Sequence, residues 1–235
     1  MCLVRGSIGE VARDRAVTDA LAGLASETGE SVIRTWTPPR QVAFGRRDTT
    51  ADGYTHARQI AVERGYEPVE RAVGGSAVAY TGCTVAFAHA IPLDGGRDGI
   101  DSRYREATDS LLDALDDLGA TVSHGEPDRS FCPGEHSVQG GGKIAGIAQR
   151  IRKRSALVGG CVIVRASDTS AIADVLDPIY AALDLPFDPN SVGSVSTAGG
   201  PDDPEAVTRA IEAAFAPTPD PPVIAATELT DYDGP

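Results

Sequence analysis

Within the stretch FCPGEHSVQGGGKIAGIAQ, residues 131–149, two side chains have types suited to acyl chemistry. Cys132 sits in a Pro-Gly turn rather than in an apolar run, a context that suits exposure. A thiol that attacks a carbonyl must be accessible and partly ionised, and a neighbouring cation promotes both ionisation and attack. Lys143 follows 11 positions later, behind three glycines. It is one of only two lysines among 21 basic residues, the other being Lys153. The segment QGGG is suited to reversing the chain, so Lys143 would begin the next strand and fold back beside Cys132. Cys132 could then hold an acyl thioester, while the ammonium acts on the thiol or on the acyl carbonyl. On residue types alone, structural roles for both side chains remain open.

A second segment, VERAVGGSAVAY, supplies complementary chemistry. A strand that meets Gly74-Gly75 can bring a ligand against bare backbone, because glycine lacks the Cβ that would block the approach. Arg71 just upstream supplies a fixed positive charge. The same Gly-Gly is equally readable as a hairpin turn and nothing more.

Other chemistries fit less well. GGGKI is not a phosphate-binding loop, because Ser137 stands where its first glycine belongs and Ile144 replaces the magnesium-binding hydroxyl. Cys132, His136, His124 and Cys161 lack the compact spacing of a zinc site, so no metal is expected. Cys2, Cys83 and Cys161 read as small reduced hydrophobes, with Cys161 in a buried strand. The net charge of −13 argues against general binding to nucleic acid or to anionic membranes. The run RIRKR at 150–154 is short and isolated, and suits an acidic partner surface or a solvated edge. Abundant acid with scarce lysine suggests a surface suited to high salt. The N-terminal segment lacks the features of a secretory signal and no apolar run approaches a bilayer span, so a cytoplasmic chain is expected.

The elements that must carry these residues follow from periodicity. Helical spacing predicts helices over residues 8–28, through ADGYTHARQIAVERGY with Ile60 and Val62 inward, and through SRYREATDSLLDALDDLGA. Two more are expected, in DTSAIADVLDPIYAALDL and DPEAVTRAIEAAFA. Strands are expected in SVIRTWTPP and QVAFGRR. EPVERAVGGSAVAYTGCTVAFAHAIP reads as strand, glycine turn, strand. Further strands fall near Val122 and Val138, over Lys143–Arg150 and over Leu157–Val164. Strand pairs too close for helical crossovers, interleaved with helices, predict a layered α/β domain with a mixed sheet and flanking helices. One domain is expected over 1–215, with a loose Pro- and Asp-rich tail at 216–235.

Taken together, these segments resemble the lipoate–protein ligases and lipoyl/octanoyl transferases, over roughly residues 8–185. RTWTPPRQVAFGRRD resembles the first strand pair of that family. ERAVGGSAVAY resembles its R-x-x-G-G substrate loop, and GKIAGIAQ its lysine-bearing segment. SFCPG resembles the cysteine motif of the amidotransferases that move octanoyl groups from the glycine-cleavage H protein. The resemblance implies the fold shared with biotin protein ligases and class II aminoacyl-tRNA synthetases. It also implies acyl transfer to a specific lysine of a lipoyl domain, with glycine-cleavage H protein as a donor and E2 subunits of 2-oxoacid dehydrogenases as acceptors. Cys132 would be the nucleophile and Lys143 its partner, with Arg71, Gly74, Gly75 and Gly146 lining the acyl channel. No cofactor is implied for that route; ATP and Mg would be required by an ATP-dependent lipoate ligase, the alternative enzyme. AYTGCTVAF departs from the family, with Tyr80, Thr81 and Val85 where polar groups are usual. That departure keeps open a non-catalytic protein that only binds the acyl group or the lipoyl domain.

Overall fold

The computed structural model describes residues 1–71, 74–94, 98–216, 218, 220–230 and 232. The chain begins with β1 (Cys2–Arg5), α1 (Val11–Thr28) and β2 (Val32–Trp36). Helix α1 ends where Gly29 takes a left-handed φ of 70° and its N–H returns to the carbonyl of Ala25. β3 (Gln41–Phe44), α2 (Tyr54–Glu63), β4 (Glu67–Glu70), β5 (Val78–Tyr80) and β6 (Val85–Pro92) follow. Next come α3 (Ile100–Asp117), β7 (Ser123–His124), β8 (Ser137–Gln139), β9 (Lys143–Ile151) and β10 (Ser155–Val162). α4 (Ala166–Ala182), α5 (Pro204–Phe215) and β11 (Val223–Ala225) complete it.

Eight strands form one mixed sheet in the order β11-β1-β2-β6-β10-β9-β8-β7, and β4-β3-β5 form a smaller one. The two faces of the large sheet are separated by strand alternation. Phe87, Val158 and Val162 pack with Leu111 and Leu115 of α3 and Ile211 of α5. On the opposite face, Ala88, Ala90 and Leu157 meet α1, whereas Cys161 and Ile163 meet the small sheet, α2 and α4. The layered mixed sheet with flanking helices is the architecture that the sequence implies.

Three expectations are corrected. Residues 67–80 do not make a hairpin: β4 pairs parallel with β3 and β5 pairs antiparallel with it, on its two sides. The glycines therefore lie between strands on opposite sides of β3, and the Arg71 N–H donates to Phe44 O at its end over 2.9 Å. Val62 is 59% exposed rather than inward, because Ala57, Ile60 and Ala61 form the buried stripe of α2. The segment expected as a loose tail carries β11, parallel to β1, and buries Ala226 and Leu229 against α1. Its parallel pairing occupies the otherwise open edge of β1, with Ile224 partly buried between exposed Val223 and Ala225.

Candidate active site

Glycine permits the close backbone approach on which the site is built. A Cβ at Gly45 would lie 1.8 Å from the carbonyl oxygen of Gly75, so glycine at 45 lets Gly75 settle at the end of β3. Gly75 itself has φ of +89°, and a Cβ there would lie 2.6 Å from Cys132 Sγ and 2.9 Å from Arg71 Nη2. Gly74 faces open space and lines the same cavity. Arg71 and Gly75 thus both lie against the cysteine turn.

Cys132 is half-buried and has φ of 41°, a left-handed conformation that non-glycine residues rarely adopt. Its N–H donates to the hydroxyl of Tyr180 over 2.6 Å, and that hydroxyl donates to the carbonyl of Ala77 over 3.0 Å. Tyr180 is fully buried on α4, and burial pushes its phenol upward, so the hydroxyl stays protonated as a fixed strut. Arg71 Nη2 lies 3.1 Å from Cys132 Sγ and donates to Ser76 O over 2.6 Å.

Lys143 opens β9 after the expected reversal, with Gln139 paired to Lys143 across the β8–β9 turn. It is 1% exposed. Its Nζ donates to the carbonyls of Cys132 at 2.8 Å and Phe131 at 3.0 Å, and to both carboxylate oxygens of Glu126 at 3.0 Å. Lys143 therefore grips the backbone of the cysteine turn, while the cation in contact with the sulfur is Arg71. Gly146, three residues further on, leaves room for this: a Cβ there would lie 3.3 Å from Lys143 Cε.

Glu126 was not singled out by the sequence. Besides Lys143, it accepts from the hydroxyls of Ser130 and Ser137 and from the N–H of Gly134 at 3.0 Å. Nothing in the sequence marks it among 34 acidic residues. His136 stacks on Tyr104 with ring centroids 3.9 Å apart and makes no contact with Lys143 or Cys132 among the described hydrogen bonds.

A cavity of about 490 Å3 runs past all six sequence-selected residues, Arg71, Gly74, Gly75, Cys132, Lys143 and Gly146. This size suits a small ligand or a flexible chain. Its walls include Trp36, Val78 and Phe131. Cys161 also faces it, but burial pushes that thiol up to about 11, leaving it neutral at ordinary pH. Among the described residues no group of His, Cys, Asp and Glu side chains is arranged to hold a metal. No helix among them is long and apolar enough to cross a membrane.

The sequence matches the family described as lipoyl protein ligase A/B catalytic domain over residues 11–216. The chain belongs to that family. It is 32% identical over 148 residues to the octanoyl-[GcvH]:protein N-octanoyltransferase of Geobacillus kaustophilus, covering 62% of this chain and 52% of that protein. It is 28% identical over 176 residues to the protein of the same description from an Exiguobacterium species, covering 74% and 62%. The chain thus spans between about half and three-fifths of these relatives. Among solved structures, a lipoate-protein ligase A bound with ATP superposes with a TM-score of 0.76 at 19% identity, over 97% of this chain and 92% of that one. A bi-partite lipoate protein ligase from Thermoplasma acidophilum, studied with its E2 lipoyl domain, superposes at 0.71 and 18% identity, over 97% and 89%. The lipoyl ligase fold therefore frames the cysteine, arginine and lysine just described.

Proposed function

We propose that this lipoyl ligase-family chain transfers an octanoyl or lipoyl group to a specific lysine of a lipoyl domain, through a thioester on Cys132. The observation that carries this reading is the contact between Arg71 Nη2 and Cys132 Sγ, at 3.1 Å, inside a cavity walled by apolar side chains. A half-buried nucleophile beside a fixed guanidinium is suited to acyl chemistry, because the cation stabilises the negative charge that develops on sulfur and on the carbonyl oxygen.

In this scheme Cys132 Sγ attacks the acyl carbonyl of the donor, a C–S bond forms, and the donor's thiol or amine leaves with the proton. The amine of the acceptor lysine then attacks the thioester carbon. An amide forms, the C–S bond breaks, and one amine proton returns to sulfur. Arg71 faces the oxyanion in both steps. Lys143 acts on the turn itself: with Glu126 it fixes the carbonyls of Phe131 and Cys132 and so keeps Cys132 in its left-handed conformation. Gly74 and Gly75 leave the approach to sulfur unobstructed. The acyl group passes from one donor bond to one acceptor amide, a net exchange that is near neutral for an amide donor and downhill for a thioester donor, so neither ATP nor metal enters the scheme.

The names of the octanoyltransferase relatives support H protein as donor, and the structural neighbour studied with its E2 lipoyl domain supports E2 lipoyl domains as acceptors. The test is intact mass spectrometry after incubation with an octanoylated H protein, without ATP, beside Cys132→Ala. A hydroxylamine-labile octanoyl adduct on the unsubstituted protein alone is expected. Modification of a lipoyl domain only when ATP and free lipoate are added, and equally by Cys132→Ala, would replace this reading with an ATP-dependent ligase. Stoichiometric binding without transfer would make the chain a carrier of acyl groups.

A further inference from the structure

Strand pairing aligns the small residues of the cavity floor in rows. Trp36, Ala86, Cys161 and Gly146 stand opposite one another on β2, β6, β10 and β9. Two residues further along, the row is Arg34, Ala88, Gly159 and Ala148. After two more it is Val32, Ala90, Leu157 and Arg150. Alternation puts all three rows on the face that meets α1 and the small sheet. Ala86, Ala88, Cys161, Gly146, Gly159 and Ala148 all line the cavity. Over β6, β10 and β9 the first two rows hold nothing bulkier than a thiol.

The third row is different. Leu157 packs against the α1 cluster, and Arg150 reaches Asp19 of α1 at 3.6 Å. Asp19, Arg150 and Leu157 all line the cavity. Each row advances about 6.6 Å along the strands, so the smooth floor extends about 13 Å from the level of Cys161 and Gly146 to Leu157.

We infer that this floor is a ruler for acyl length: Ala148 leaves room for the middle of a medium-length chain, and Leu157, backed by the Arg150–Asp19 pair, stops its end. The inference rests on the acyl-transfer reading for the identity of the ligand, and it adds the residues that select its length. It follows from packing that a bulkier side chain at 148 shortens the available groove, and that truncation at 157 lengthens it. Two buried methylenes carry roughly 1.6 kcal/mol, so displacement of two from the groove changes preference between neighbouring even-numbered chains by about tenfold.

The experiment presents hexanoyl, octanoyl, decanoyl and dodecanoyl thioesters of a small thiol, in equal amounts, to the full chain and to Ala148→Leu and Leu157→Ala. Adducts are counted by intact mass. The unsubstituted protein should favour octanoyl, Ala148→Leu should move the maximum to hexanoyl, and Leu157→Ala should move it to decanoyl or beyond. In parallel, calorimetry measures binding of the free fatty acids of the same lengths, which reads the groove without any transfer. Opposite shifts in the two variants support the ruler even if no adduct forms, in which case only the transfer reading falls. Profiles that stay unchanged in both variants, or shift the same way, overturn the ruler whether or not adducts form.

Discussion

Arg71 and Cys132, 61 positions apart in the chain, meet with Nη2 3.1 Å from Sγ. The contact exists because Gly45 admits Gly75 at the end of β3, and because Tyr180 and Lys143 hold the cysteine turn from its other side. Arg71 is held in turn by the carbonyl of Ser76 at 2.6 Å, so its charge is fixed before any substrate arrives. Removing a preorganised donor of this kind lowers the rate by about 100-fold or more. Arg71→Gln is therefore expected to slow formation of the acyl adduct by that order in quenched single-turnover measurements. Arg71→Lys should restore little, because its ammonium sits on a shorter, flexible stem and is not held where Nη2 meets both the Ser76 carbonyl and Cys132 Sγ. An unaltered rate in Arg71→Gln would remove Arg71 from the mechanism.

Gly75 tests whether space at the sulfur matters more than sequence pattern. A Cβ there would meet both Cys132 Sγ and Arg71 Nη2 within 3.0 Å, on a backbone at φ of +89°. Gly75→Ala should separate the two groups and reduce adduct formation by at least tenfold, with a melting temperature only a few degrees lower. Gly74 meets nothing within 4 Å, so Gly74→Ala should be milder on both measures. Equal effects at the two glycines would show that the loop tolerates no side chain anywhere, and would detach Gly75 from the thiol.

Lys143 and Glu126 are expected to behave as one unit. Lys143→Met leaves a half-buried carboxylate and the carbonyls of Phe131 and Cys132 without their donor. Breaking such a pair costs about 3 kcal/mol, and the cysteine turn should become accessible to protease. Glu126→Gln removes the charge while retaining hydrogen-bonding groups, so it should cost less. In a double-mutant cycle read by denaturant unfolding, the two substitutions should be clearly non-additive. Additive losses would mean that Lys143 serves the reaction independently of Glu126.

The sequence exposed the residue types and the architecture, but not which partner serves which atom. Cys132, Arg71 and Lys143 were legible because a turn cysteine, an arginine before Gly-Gly and a rare lysine stand out locally. Glu126 did not, because its role comes entirely from long-range packing in an acid-rich chain. The roles of the two cations also depended on geometry: spacing brought Lys143 back to Cys132, but only the folded turn directs its ammonium to the carbonyl and leaves the sulfur to Arg71. Topology failed in the same way at Gly74-Gly75, where local pattern suggested a hairpin. A strand's partner is decided by the apolar surface it can cover, and β3 was available to both β4 and β5. The strand at 223–225 was hidden for a similar reason, since its flanking prolines look like tail and only the open edge of β1 gives it a place.

His89 gives a pH dependence with a definite sign. It lies on β6 at the edge of the Phe215 ring, 5.7 Å between centroids, and its buried Nε2 has no hydrogen-bond partner among the described residues. Burial lowers its pKa to about 4, against 6.5 for the free side chain. Between these values the unfolded chain binds a proton that the folded chain excludes, so stability rises with pH across this window and falls as pH drops through it. The full effect is at most about 3 kcal/mol at 1.36 kcal/mol per pKa unit. Replacement by an apolar side chain, His89→Leu, should flatten the acid limb of denaturant-derived stability between pH 6.5 and 4 while changing the value at pH 8 much less. A slope in His89→Leu that matches the unsubstituted protein would assign acid sensitivity to the carboxylates instead.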